Sequence, residues 1–235
     1  MNELKLSKRL ETVAAYIPKG SVLADIGSDH AYLPCYAYLQ EIIRYGIAGE
    51  ITEGPFQSAK EQVAKVALSE KITVRKGDGL QVITSNEVDC ITIAGMGGTL
   101  IRNILEEGKD KLDGVRRLVL QPNIGAKNIR EWLLKYNWEI VTEQIIEEDG
   151  KIYEIIVSER GGPKSTYTDN LEAGLLLGPF LMIEKNAVFI KKWNQELDHW
   201  KRILTRLAKA AGTLENQARK SELEQKIHIV EEALS

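Results

Sequence analysis

Cysteine, phenylalanine and proline are scarce in this 235-residue chain, and no long apolar run occurs in it. The two cysteines, Cys35 and Cys90, sit among apolar neighbours without metal-ligand spacing. That excludes a disulfide framework and a cysteine-built metal site, and leaves two small buried hydrophobes. No metal is expected. No stretch approaches the roughly 20 apolar residues that cross a bilayer, and no secretory leader precedes Lys5, so the expected home is the cytoplasm. Neither sign of charge dominates: 31 basic against 34 acidic side chains give a net charge of −3. A polyanion would therefore have to meet a local basic face rather than the bulk of the protein.

Also missing is GxGxxG, the glycine pattern that wraps backbone around a pyrophosphate at a helix N-terminus. What stands in its place is Ser21 to Tyr32, SVLADIGSDHAY. A short apolar run carries Asp25 and ends at Gly27, as a buried parallel strand does when it delivers a carboxylate and a tight turn to the carboxyl edge of a sheet. Two acids beside the turn, Asp25 and Asp29, would repel a pyrophosphate. They suit a ligand with an ammonium group, a ribose and no phosphate, which describes S-adenosylmethionine, and Asp25-Ile26-Gly27 has the acid-x-glycine form of a methyltransferase first motif. The plain alternative is an ordinary strand end in which Ser28 or Asp29 caps the next helix.

The apolar fraction of 43% supports one core of ordinary size with a small appendage. After an amphipathic helix over residues 4–17, strand-like runs at 22–26, 47–51, 72–75, 90–94 and 117–120 alternate with helical patterns. Residues 138–146 and 151–159 then form two strands joined by Asp149-Gly150, a hairpin turn. Alternating units give an α/β fold with a doubly wound, mostly parallel sheet. The C-terminal antiparallel hairpin makes it a Rossmann-like class I methyltransferase rather than a dinucleotide-binding domain. Residues 1–162 form this domain. Residues 163–235 form a helical one, where Ile190, Trp193, Leu197, Trp200, Leu204, Leu207, Ala211 and Leu214 recur at 3-4 spacing. With a second seam at Leu223, Ile227, Val230 and Leu234, and a break at Gly212-Thr213, the spacing predicts a coiled coil.

Each strand end offers a group to the donor. Asp25 and Gly27 meet its methionine end, with Ser28 and His30 lining the turn. Glu50 accepts from the ribose diol, with Glu53 as the competing acid, while Asp78 bonds the adenine amine and Gly79 leaves room for the ring. Gly95, Met96 and Gly97 lie where methyl and acceptor meet, glycine tolerating the dihedrals of such a loop.

Five segments together carry a specific resemblance: DIGSDHAYLP (25–34), GEITEGPFQSAKEQV (49–63), GDGL (77–80), IAGMGGTLI (93–101) and LQPN (120–123). They are similar to the bacterial tRNA (adenine-N1)-methyltransferase family TrmK, and with the helical appendage the likeness covers nearly the whole chain. The resemblance implies S-adenosylmethionine as donor, tRNA as partner, and methylation of adenine N1 at position 22, in the D-loop region. The Asn-Pro-Pro-Tyr type of motif that holds an exocyclic amine is absent, in keeping with a ring nitrogen as acceptor.

Neutral N1 has an in-plane lone pair and needs no base, so positioning does much of the work. Asp29 is the candidate to stabilise the cationic product ring, or else it binds the donor's ammonium or caps a helix. Gln121 and Asn123 are candidates to read the flipped base, an amide being both donor and acceptor. Lys5, Lys8 and Arg9 on the first helix, and Lys192 and Arg202 on the tail, are candidates for the RNA backbone. The chain reads as a monomer or a homodimer. The alternative function is a methyltransferase on a non-RNA substrate, with the coiled coil serving to dimerise.

Overall fold

The computed structural model describes residues 5–162, 166–167, 170–208 and 213–235, so Leu4, Pro163, Ala211 and Gly212 lie outside the described residues. It divides into two compact units, Met1–Thr166 and Tyr167–Ser235.

Unit 1 is built on a seven-stranded sheet of order β3-β2-β1-β4-β5-β7-β6. Its strands are β1 (Ser21–Ile26), β2 (Ile43–Glu50), β3 (Ile72–Lys76), β4 (Cys90–Gly97), β5 (Arg117–Ile124), β6 (Trp138–Glu148) and β7 (Lys151–Arg160). The first five run parallel; β7 enters antiparallel beside β5. The order reverses direction between β1 and β4, which opens a crevice at their carboxyl ends, the place where open α/β sheets hold ligands.

Helices α1 (Lys8–Ala15), α2 (Tyr32–Leu39) and α3 (Glu53–Lys65) lie along this chain order. Val13, Leu33, Ala37 and Val63 on these helices form one buried cluster with Leu23, Cys90 and Val119 of the sheet. Strand alternation sends the equally buried Ile91, Ile93, Leu118 and Leu120 to the other face, and α4 (Gly98–Glu107) packs against α5 (Ala126–Lys135). Strands buried on both faces read as unbroken apolar runs, which is why β1 and β4 stand out in the sequence.

Strand β2 begins four residues before its expected start, because Gly46 interrupts the apolar signal. A Cβ there would meet Ile72 Cδ1 at 2.7 Å and Pro34 Cβ at 3.3 Å. The glycine thus lets α2 and β3 close on the strand, a packing requirement that local propensity does not reveal. On the hairpin side, Arg130 of α5 is fully buried and bonds Glu143 of β6 at 2.7 Å and Glu154 of β7. Burial presses its pKa down, but the two carboxylates outweigh this and the net shift is upward.

Unit 2 contains α6 (Leu171–Leu177), α7 (Pro179–Glu184), α8 (Ala187–Leu207) and α9 (Leu214–Leu234). Thr213 caps α9, its side chain accepting from Asn216 N at 3.2 Å. Helices α8 and α9 pack on each other, burying Phe189, Trp193, Leu197, Leu223, Ile227 and Val230. The expected seam is off by one turn position at its start: Phe189 is buried where Ile190 is expected, and Ile190 is 43% exposed. At the other end Leu214 is 85% exposed. Short α6 and α7 escape the periodicity reading because neither lasts two full turns. No helix among the described residues is long and apolar enough to cross a membrane.

Candidate functional site

Parallel register builds the centre of the site. Asp25 of β1 lies opposite Thr92 of β4, and its carboxylate accepts from Thr92 Oγ1 at 2.6 Å and from Ser28 Oγ at 2.5 Å. The group is 4% exposed. Its pKa is raised by burial, against the pull of Ser28, Thr92 and the charge of Arg9. Ser28 is therefore spent on Asp25, not on a helix cap.

The turn that follows is unusually left-handed. Gly27 has φ +68°, and Asp29, His30 and Ala31 have φ of 42°, 69° and 55°. Non-glycine residues in this region cost on the order of 1 kcal/mol each and cluster where function requires them. Helix α2 starts at Tyr32 with Ala31 as an uncapped N-cap, so Asp29 does not cap it either. Its side chain is 77% exposed, 3.6 Å from His30 Nε2, while its backbone N–H donates to Glu50 Oε1 at 2.5 Å. His30 stacks on Tyr32 with ring centroids 5.3 Å apart.

Glu50 ends β2, 6% exposed, with its pKa raised chiefly by burial. Its second carboxylate oxygen has no hydrogen bond to the described residues, which leaves an open acceptor at the strand end. Glu53 is different: it is exposed, bonded to Lys76 at 2.6 Å and Gln57 at 2.6 Å, and its pKa is lowered by the Lys76 bond. Geometry favours Glu50 of the two acids.

Asp25, Gly27, Ser28, Asp29, Gly95 and Met96 come together around one cavity of about 240 Å³. That is smaller than the roughly 300 Å³ at the low end of small-molecule sites, room for one end of an extended ligand rather than the whole of it. Glu50 adjoins it through Asp29. Asp78 and Gly79 lie beyond Glu50, whose carbonyl accepts from Gly77 N at 2.9 Å, and line a separate, smaller pocket with Ile104. Gly97 faces open space.

Two expectations change. Gln121 is fully buried: its Oε1 accepts from Gly95 N at 2.9 Å and Arg9 Nη1 at 2.5 Å, and its Nε2 donates to Asn123 Oδ1 at 3.3 Å. With its amide so occupied it braces Gly95 and has no edge left for a base. Asn123 remains at the surface, with Nδ2 donating to Gly95 O at 2.7 Å. The expected basic face of α1 is also rearranged. Glu148, at the hairpin tip, accepts from the backbone N–H groups of Lys8 and Arg9 at 2.5 and 3.3 Å, and Lys8 Nζ donates to Glu147 O at 3.2 Å. Arg9 lines the cavity of Asp25, Gly95 and Met96 instead of joining Lys5 on an outward row.

On unit 2, Lys192 Nζ lies 4.7 Å from the Trp193 ring centroid, and exposed Arg202 bonds Asp198 O through Nε at 3.1 Å. Thr92, the partner of Asp25, does not emerge from the sequence reading; parallel register is the signal that finds it.

Known proteins are similar in sequence and in fold. A family model described as TrmK, tRNA (adenine(22)-N(1))-methyltransferase, matches residues 23–232. The tRNA (adenine(22)-N(1))-methyltransferase of Bacillus subtilis (strain 168) is 57% identical over 235 residues, covering 100% of this chain and 99% of that protein. The crystal structure of the B. subtilis m1A22 tRNA methyltransferase TrmK superposes with a TM-score of 0.96 at 56% identity, over 99% of this chain and 100% of that one. Sp1610 of Streptococcus pneumoniae, solved in complex with S-adenosyl-L-methionine, gives 0.86 at 41% identity over 98% and 100%.

Proposed function

The chain belongs to the tRNA (adenine(22)-N(1))-methyltransferase family, and from that membership we propose how its residues carry out the reaction. It is an S-adenosylmethionine-dependent methyltransferase acting on N1 of adenine 22 of tRNA. The observation that carries this is identity of 57% along the full length of both chains. The alternative of a non-RNA substrate has no support among the relatives.

The residues at the sheet edge fit the donor: a buried glutamate with an open acceptor oxygen, a turn of backbone in left-handed conformation, and an acid-lined cavity. S-adenosylmethionine supplies a methyl group on a sulfonium, which passes to the N1 lone pair while the bonding electrons stay on sulfur. Glu50 holds the ribose hydroxyls, and Asp78 with Gly79 receives the adenine of the donor. Asp25, fixed by Ser28 and Thr92, shapes the turn and sets a negative potential at the amino-acid end. Gln121 holds Gly95, Met96 closes against Gly27, and Asn123, engaged with Gln121 and Gly95 but exposed, keeps its second N–H and its second oxygen lone pair for the target base. Asp29, exposed at the mouth, lies where a carboxylate stabilises the positive ring that forms. No residue has to remove a proton from N1, so holding the two reactants in line supplies the acceleration.

We assign residues 1–162 to catalysis and 163–235 to a coiled-coil appendage, built on the α8–α9 seam, whose Lys192 and Arg202 meet the RNA backbone together with Lys5. We place the protein in the cytoplasm, as a monomer. The test is transfer of tritium from labelled S-adenosylmethionine to tRNA, followed by nucleoside chromatography. Label in 1-methyladenosine supports the reading, and label in another nucleoside, or in none, overturns it.

A further inference from the structure

Ile124 is the last residue of β5, and it is 77% exposed. Single apolar side chains are common at protein surfaces, but the backbone that carries this one is unusually fixed. Ile124 pairs with Gly97 of β4, where an added Cβ would meet nothing within 4 Å. One residue on, the two strand ends close on each other: a Cβ on Gly98 would lie 2.0 Å from Gly125 O and 3.1 Å from Ile124 O. Gly125 has φ +72°. Its carbonyl accepts from Asn128 N at 3.1 Å, while Asn128 Nδ2 donates to Thr99 Oγ1 at 3.1 Å. Backbone packed on backbone leaves the Ile124 side chain standing on a rigid rim, with open space over its strand partner.

That rim adjoins the place assigned to the target base. Asn123 and Ile124 are consecutive, and strand alternation sends their side chains to opposite sides of one edge. The surroundings suit RNA. In a chain with 34 acidic side chains, residues 90–105 and 114–130, which carry both sides of the rim, contain none. The acids gather instead at Asp25, Asp29 and Glu50. Helix α4 opens with a second exposed aliphatic, Leu100, at 51%.

We infer that Ile124 enters the base stack of the tRNA beside the target adenine and fills the gap left when that base turns out toward Asn123. This rests on the reaction at adenine N1 proposed above. N1 lies on the Watson–Crick edge, so a base inside a paired stack does not offer it to a methyl donor, and extrusion costs unstacking energy. An apolar wedge between the neighbouring bases offsets that cost. Being aliphatic, Ile124 holds the gap without hydrogen bonds to base edges, which leaves sequence reading to polar groups.

The test places 2-aminopurine, whose fluorescence rises on unstacking, at position 22 of the tRNA and adds full-length protein with S-adenosylhomocysteine. Wild-type protein is expected to raise the signal. Ile124→Ala is expected to lose at least about half of that rise and to lower kcat on unlabelled tRNA by roughly tenfold. Ile124→Leu keeps an aliphatic of the same size and retains both. In all variants the melting temperature and the affinity for S-adenosylhomocysteine by calorimetry stay at wild-type values, since an exposed side chain contributes little to the fold. An undiminished rise with Ile124→Ala overturns the inference, as does wild-type protein that methylates N1 without any rise. A loss of S-adenosylhomocysteine affinity matching the loss of kcat would make Ile124 a support of the donor site, and overturns it too. Methyl transfer by wild-type protein to a nucleoside other than adenosine overturns instead the reaction on which the wedge rests.

Discussion

Gln121 carries Gly95 on its side-chain oxygen: Oε1 accepts the Gly95 N–H at 2.9 Å from within the sheet, while the Gly95 carbonyl accepts from Asn123 at 2.7 Å. The irregular carboxyl end of β4 is thus held by two amides of β5. Gly95 has φ +81°, a conformation that needs such support at a strand end otherwise free to relax. Gln121→Leu, close in volume, leaves the Gly95 N–H unpartnered, a cost of about 1–3 kcal/mol. Steady-state kinetics should show kcat reduced by at least about tenfold, with tRNA affinity from filter binding unchanged. Unaltered kcat would show that Gly95 is held by other means.

Gly27 is pinned twice, by its positive φ and by Met96, whose Cε lies 2.1 Å from where a Cβ would stand. Gly27→Ala is expected to destabilise the fold by roughly 2 kcal/mol or more in urea titration. Adding Met96→Ala should return the steric part and not the backbone part. A double variant no better than the single would place the whole penalty in the backbone.

The raised pKa of Asp25 works against stability. An acid whose folded pKa is raised binds its proton more tightly folded than unfolded, so stability is lost as pH rises from the unfolded value, near 3.8, through the folded one. Asp25→Asn removes that charge while Ser28 and Thr92, whose hydroxyls rotate, still find partners. Its melting temperature should exceed the wild type's at pH 7 by about 2 °C or more, with the gain shrinking toward pH 4, and cofactor binding should be lost. A lower melting temperature at pH 7 would contradict the burial account.

Arg130 with Glu143 and Glu154 stitches α5 to the hairpin. Arg130→Met strands two buried carboxylates and should cost about 3–5 kcal/mol, read from denaturant midpoints. The triple change Arg130→Met, Glu143→Leu, Glu154→Leu should recover most of it. Failure to recover would mean the apolar side chains do not fit the space.

The sequence reveals what lies within a few residues of itself. Asp25-Ile26-Gly27 and the closing hairpin are legible because an apolar run, a turn glycine and an Asp-Gly pair are local signals. What depends on register or on distant chain is not. Thr92 reaches Asp25 only through the β1–β4 pairing. Arg9 looks like a solvated helix residue until Gln121, 112 residues away, and Tyr153 turn it inward. Gln121 and Asn123 look alike in LQPN and share one face of β5; Gln121 lies within the sheet and is buried, while Asn123, near the strand's end, is exposed. Ile190 and Phe189 both fit the 3-4 spacing leading to Trp193, and packing against neighbouring helices decides between them.

A crystal structure with S-adenosylhomocysteine bound measures the central claim directly. The ligand is expected across the ends of β1, β2 and β3, with its ribose hydroxyls on Glu50, its adenine beside Asp78 and Gly79, and its amino-acid end in the cavity of Asp25 and Gly95. A ligand seated elsewhere, or one whose ribose turns from Glu50 to Glu53, would contradict the assignment of the strand-end residues.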